Sequence, residues 1–165
     1  MKVSAIALNT FKEAVRDRIL YAILIFALVM LLGSTILVTI SVGGEAKIFK
    51  DLGLACISLF GTLIAIFLGI GLVSKEIEKR TVYTVLSKPI HRYQFILGKY
   101  LGLVLTLLVN VSVMTLGLIG LVYLWEGMSS LSLLLAVLFI FLELLLVTAL
   151  ALLFSTFSSP TLSAI

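Results

Sequence analysis

The sequence predicts an all-α, polytopic membrane fold with four transmembrane helices, an amino-terminal interfacial helix and a short cytoplasmic helix between the second and third spans. Three observations carry this. The 165-residue chain is 62% hydrophobic with a mean hydropathy of +1.30, more apolar surface than a soluble core of that length buries. Its runs 19–44, 52–74 and 100–125 are uncharged, and a fourth, 131–154, is broken only by Glu143. Each exceeds the ~20 residues that cross a hydrocarbon core at helical rise. The runs are continuously apolar, whereas barrel strands turn every second residue to a wet lumen, so helices are the expectation.

The elements follow in order. Over 1–19, Leu8, Phe11, Val15 and Ile19 return at helical spacing while Lys12, Glu13, Arg16 and Asp17 fill other faces, which predicts an interfacial helix feeding the first span. That span, 20–42, is too long for a secretory signal and lacks an Ala-x-Ala ending, so it should anchor the chain. In the second span, 52–74, Gly61, Ala65 and Gly69 recur every four residues and leave a bare stripe for a neighbouring backbone. Cys56, the one cysteine, reads as a small packing residue there.

The loop 75–99 is denser in information. Glu76 precedes Arg80 by four residues and Lys79 by three, the favourable order for helical ion pairs. Val82, Val85 and Leu86 form a small apolar ridge beside Tyr83, and Pro89 forces Lys88 out of the helical region. A short amphipathic helix is expected, then a turn, then a restart from His91 through Arg92 and Lys99 into the third span. A solvated connector has no use for such a ridge.

The third span, 100–125, opens on a second small-residue pair, Gly98 and Gly102, and carries Asn110 near its middle. The fourth, 131–154, holds Glu143 near its middle, where an ionised carboxylate costs at least a few kcal/mol and the side chain is too short to snorkel. Two readings stand. Glu143 is either a structural group, protonated or hydrogen-bonded between helices with Asn110 as a candidate partner, or a group serving substrate passage or gating.

Charge sets the orientation. Lys2, Lys12, Arg16 and Arg18 lie in the amino-terminal segment, and six of the twelve Lys and Arg residues lie in 75–99. The connection 43–51 is charge-balanced and 126–130 has no Lys or Arg. By the positive-inside rule the amino terminus and the 75–99 loop are cytoplasmic, in a cytoplasmic membrane. The net charge of +4 then belongs to loops beside anionic lipid, with no nucleic acid as partner.

Glu76-x-Glu78-Lys79-Arg80-Thr81, then Val85-Leu86-Ser87-Lys88-Pro89-Ile90-x-Arg92 and Gly98-Lys99-x-Leu101-Gly102, resembles the first cytoplasmic loop of ABC-2 type transporter permeases. Arg80 stands where many members have Gly, and Val85 replaces a Leu. The order of interfacial helix, two spans, loop and two spans also resembles the family, whose domain usually has about six spans; on that pattern the chain is expected to be truncated at its carboxy terminus. The resemblance implies that 76–87 is a coupling helix docking on a separate ATP-binding subunit, with Glu76, Arg80, Thr81, Val82, Tyr83, Val85 and Leu86 as contacts and Pro89 and Arg92 setting its exit. It also implies pairing with a second permease copy or homologue, and export as the direction of movement.

Enzyme signatures are missing from the sequence. His91 has no neighbouring ligands for a metal site or base. Gly98-Lys99 is followed by Tyr100, and Tyr93 occupies the position of the first P-loop glycine, so no nucleotide site is expected. The chain should bind no cofactor itself, with ATP and magnesium on the partner subunit. Two other classes compete with this reading: a lipid-acting membrane enzyme, which would need clustered polar residues at one interface, and a non-transporting membrane scaffold or assembly factor, which would have no need for the 76–99 pattern.

Overall fold

The computed structural model describes the backbone of residues 2–39, 45–78, 92–126 and 131–161, and the side chains of 3–33, 47–71, 93–124 and 132–155. These residues fold into five helices: α1 (Lys2–Val15), α2 (Arg18–Thr39), α3 (Glu45–Glu78), α4 (Arg92–Glu126) and α5 (Leu131–Thr161). In hydrocarbon the backbone must satisfy its own hydrogen bonds, which a helix does within one segment.

Among the described residues three stretches are long and apolar enough to cross a membrane: Lys47–Gly71 in α3, Tyr93–Leu124 in α4 and Ser132–Ser155 in α5. The apolar part of α2 among the described residues, Arg18–Gly33, is shorter. The helices outrun the spans read from hydropathy. α3 takes in residues 45–51 and 75–78, α4 begins seven residues before Lys99, and α5 continues through Pro160. Apolar runs mark the lipid-immersed part, while the hydrogen-bond ladder continues into polar sequence until a breaker stops it.

A single acidic residue shapes the corner between α1 and α2. The last turn of α1 closes with the Arg16 amide donating to the carbonyls of Lys12 and Glu13, at 3.3 and 3.2 Å, and the Asp17 amide donating to Ala14 O at 3.0 Å. The Asp17 carboxylate then accepts from the Ile19 amide at 3.1 Å, the geometry of a helix N-cap for α2.

α4 touches all four other helices, α3 packs against α2, α4 and α5, and α1 packs along α4. Leu31, Ile57, Ile64, Leu107, Met114, Leu118 and Leu144 fill the space between them and are wholly buried. Phe26 of α2 meets Phe60 of α3 edge to face at 5.6 Å between ring centroids, an arrangement the ring quadrupoles favour. The outer surface is as greasy as the core: Leu116, Leu124, Phe139, Leu146 and Phe154 point away from the bundle. Such a surface suits lipid contact and would be an aggregation hazard in water.

The face by which α1 packs differs from the one its large apolar residues outline. Leu8 is 56% exposed and Ile19, already in α2, is 52% exposed, whereas Thr10 and Ala14 are buried. Phe11 and Val15 are half-buried. The reason is steric: Ala7, Thr10 and Ala14 let the axis of α1 come close to α4, with Ile6 seated over Gly98, and Leu8 is left facing outward.

Candidate functional site

Of the residues singled out in the sequence, Gly61, Ala65, Gly69 and Glu76 lie on α3, Arg92, Gly98, Gly102 and Asn110 on α4, and Glu143 on α5. α3 ends at Glu78 and α4 begins at Arg92, so Glu76 lies on the last turn of one helix and Arg92 opens the other. Arg80, Thr81, Val82, Tyr83, Val85, Leu86 and Pro89 lie outside the described residues.

The base of α4 forms a socket for α1. A β-carbon on Gly98 would stand 2.7 Å from Ile6 Cγ2 and 3.3 Å from the Val3 carbonyl oxygen. One on Gly102 would stand 2.6 Å from Thr10 Cβ and 2.7 Å from the Ala7 carbonyl oxygen. Only glycine lets two backbones approach this closely, and the approach brings Cα hydrogens towards carbonyl oxygens. Between these glycines Lys99 is 5% exposed, with its ammonium 4.8 Å from the centroid of the Phe95 ring one turn earlier. A ring face offers the cation electrostatic compensation. Sequence reasoning counts Lys99 only as a loop charge; the signal for its burial is the four-residue spacing from Phe95.

Tyr100, the next residue, ties α4 to α5 by donating its hydroxyl to the Leu145 carbonyl at 3.3 Å. This bond between spans was also not read from the sequence. It joins the base of α4 to the middle of the last helix.

The small-residue stripe of α3 faces α5. A β-carbon on Gly61 would stand 2.7 Å from Leu144 Cδ1, and one on Gly69 2.8 Å from Ala151 Cβ, with Ala65 buried between them. The two contacts advance together along both helices, so α3 and α5 run in the same direction.

Polar side chains in the middle of the bundle bond within their own helix. In α4, Thr106 donates to Gly102 O at 2.9 Å, Asn110 Nδ2 to Thr106 O at 2.8 Å, Ser112 to Leu108 O at 2.7 Å and Thr115 to Val111 O at 2.7 Å. Thr148 of α5 does the same with Leu144 O at 2.6 Å. Asn110 thus turns back onto α4 and not towards Glu143. Glu143 lies on the outward side of α5 and makes no hydrogen bond or ion pair among the described residues. Leu144 is the residue aimed at α3, and one step along a helix rotates a side chain by roughly 100°, which carries Glu143 out of the contact.

Among the described residues no three His, Cys, Asp or Glu side chains are grouped to hold a metal ion. The arrangement is mechanical: α1 is fastened to the base of α4, and α4 to α5, beside the two helix ends that residues 79–91 connect.

A family model described as ABC-2 family transporter protein matches residues 4–165. No curated protein matches the chain. With nearly the whole sequence matched and the fold a bundle of long apolar helices, the chain belongs to the ABC-2 transporter family and is a multi-pass membrane component of transport.

Proposed function

We propose that the chain is the permease subunit of an ABC-2 type transporter, exporting a substrate with ATP hydrolysed on a separate subunit. The match over residues 4–165 carries this reading. In it α2 is a further span, making four, and α1 lies on the cytoplasmic side, the side that positive charge favours. Residues 76–87 form the coupling helix, with the ridge of Val82, Val85 and Leu86 seated in a groove of the ATP-binding subunit. A second permease copy or homologue completes the pathway. Burying one Leu side chain in such a groove contributes ~2 kcal/mol.

Leu86→Asp tests the reading in the full-length protein, because a carboxylate in the groove would have to shed its water. The expected result is loss of co-purification with the ATP-binding subunit, or ATPase activity that no longer responds to cargo. Leu116→Ala, at an outward position of α4, is the control and should leave both unchanged. Normal binding and coupling in Leu86→Asp would instead favour a membrane scaffold without transport. Orientation is checked separately in a Cys56→Ala background: a cysteine placed at Ser87 should resist an impermeant thiol reagent in intact cells and react in inverted vesicles.

A further inference from the structure

Asn110 is 4% exposed, and while its Nδ2 donates to the Thr106 carbonyl, its Oδ1 has no partner among the described residues. Turning the amide over does not help. It would set oxygen against the carbonyl oxygen at the same 2.8 Å, so the orphan is the acceptor. Buried amide oxygens in native proteins are met by a donor, because leaving one unpaired costs its full desolvation.

The polar neighbours along α4 have no proton to give. The hydroxyls of Thr106, Ser112 and Thr115 each donate their single hydrogen to a carbonyl one turn back. They keep lone pairs only. Thr106 is wholly buried and lies one turn from Asn110 on the same face of α4, and its hydroxyl oxygen keeps a lone pair that can accept. The orphan is the Asn110 oxygen; a small molecule with two O–H donors can meet it and give its second hydrogen to Thr106. Water is that molecule, and internal waters of proteins occupy such sites.

We propose that Asn110 Oδ1 and Thr106 Oγ1 hold one internal water within the bundle, each accepting one of its hydrogens. The site does not depend on the transport reading. Met114 reports on it: the side chain is wholly buried, follows Asn110 by one turn, and helical side chains lean towards the amino terminus, which brings its thioether over the Asn110 turn.

The test is brief X-ray radiolysis of the full chain in nanodiscs, which makes hydroxyl radicals from water where it stands, followed by mass spectrometry of the peptide containing Met114. The native protein should show Met114 sulfoxide despite its burial, and the yield should fall several-fold in Asn110→Leu and in Thr106→Val. The nearly isosteric Thr106→Val decides if Asn110→Leu does not fold. An unoxidised Met114 in the native protein overturns the proposal, since the site is then dry. Equal oxidation in native and variant proteins overturns it as well, since the radicals then reach Met114 from elsewhere.

Discussion

Gly69 of α3 lies so close to Ala151 of α5 that a β-carbon on the glycine would stand 2.8 Å from the alanine's own. The neighbouring contact of Gly61 is as tight but of another kind, because it meets the branched end of Leu144. Ala151 has no rotatable group to move aside; Leu144 does. Gly69→Ala should therefore cost ~1–3 kcal/mol by overpacking, and Gly61→Ala less. Gly71, with no atom of the described residues within 4 Å of its would-be side chain, should gain roughly 0.5–1 kcal/mol on changing to Ala. Unfolding midpoints of the three variants in mixed micelles check the order.

The α1 socket gives a second prediction. A branched side chain at Gly102 would run into the Ala7 carbonyl and Thr10, and backbone cannot swing away. Gly102→Val should lift α1 from α4. In a Cys56→Ala background, a cysteine at the buried position of Thr10 should be nearly inert to maleimide, and the added Gly102→Val should make it react many times faster.

Asp17 separates α1 from α2 through its bond to the Ile19 amide. Asp17→Ala should lower stability by ~1 kcal/mol, while Asp17→Asn, which keeps a side-chain acceptor, should stay close to native. Thermal unfolding followed by circular dichroism gives both values.

Glu143 separates two roles. As a structural group it should tolerate Glu143→Gln with little loss of assembly or transport, whereas Glu143→Lys should lower the amount of folded protein recovered from membranes. Normal assembly of the Gln variant with transport abolished would assign Glu143 to substrate passage.

Hydropathy and spacing made the helical class, the apolar stretches of α3, α4 and α5, and the bare stripe of Gly61, Ala65 and Gly69 legible in the sequence. What they could not give is azimuth. Asn110 and Glu143 sit near the middle of their runs by counting, yet Asn110 folds back to Thr106 and Glu143 turns outward, because rotation about a helix axis is decided by which residue packs, here Leu144. In α1 the spacing of Leu8, Phe11, Val15 and Ile19 suggested the packed face, and Ile6, Ala7, Thr10 and Ala14 formed it. Lys99 illustrates the same limit. A charge count places it in a basic loop, whereas in the fold it lies over the Phe95 ring beside α1.

The contact between Ile6 and Gly98 joins residues 92 positions apart in the chain (98 − 6). At ribosomal speeds of ~5–20 residues per second, α1 emerges roughly 5–20 s before the socket that receives it. Through that interval the nascent amino-terminal helix has no protein partner for its small-residue face, and its exposed Leu8 and half-buried Phe11 offer it a lodging at the membrane surface. Its final seat is therefore taken only after α3 is complete and the first turns of α4 have emerged, and a stalled chain ending before Gly98 would carry α1 undocked.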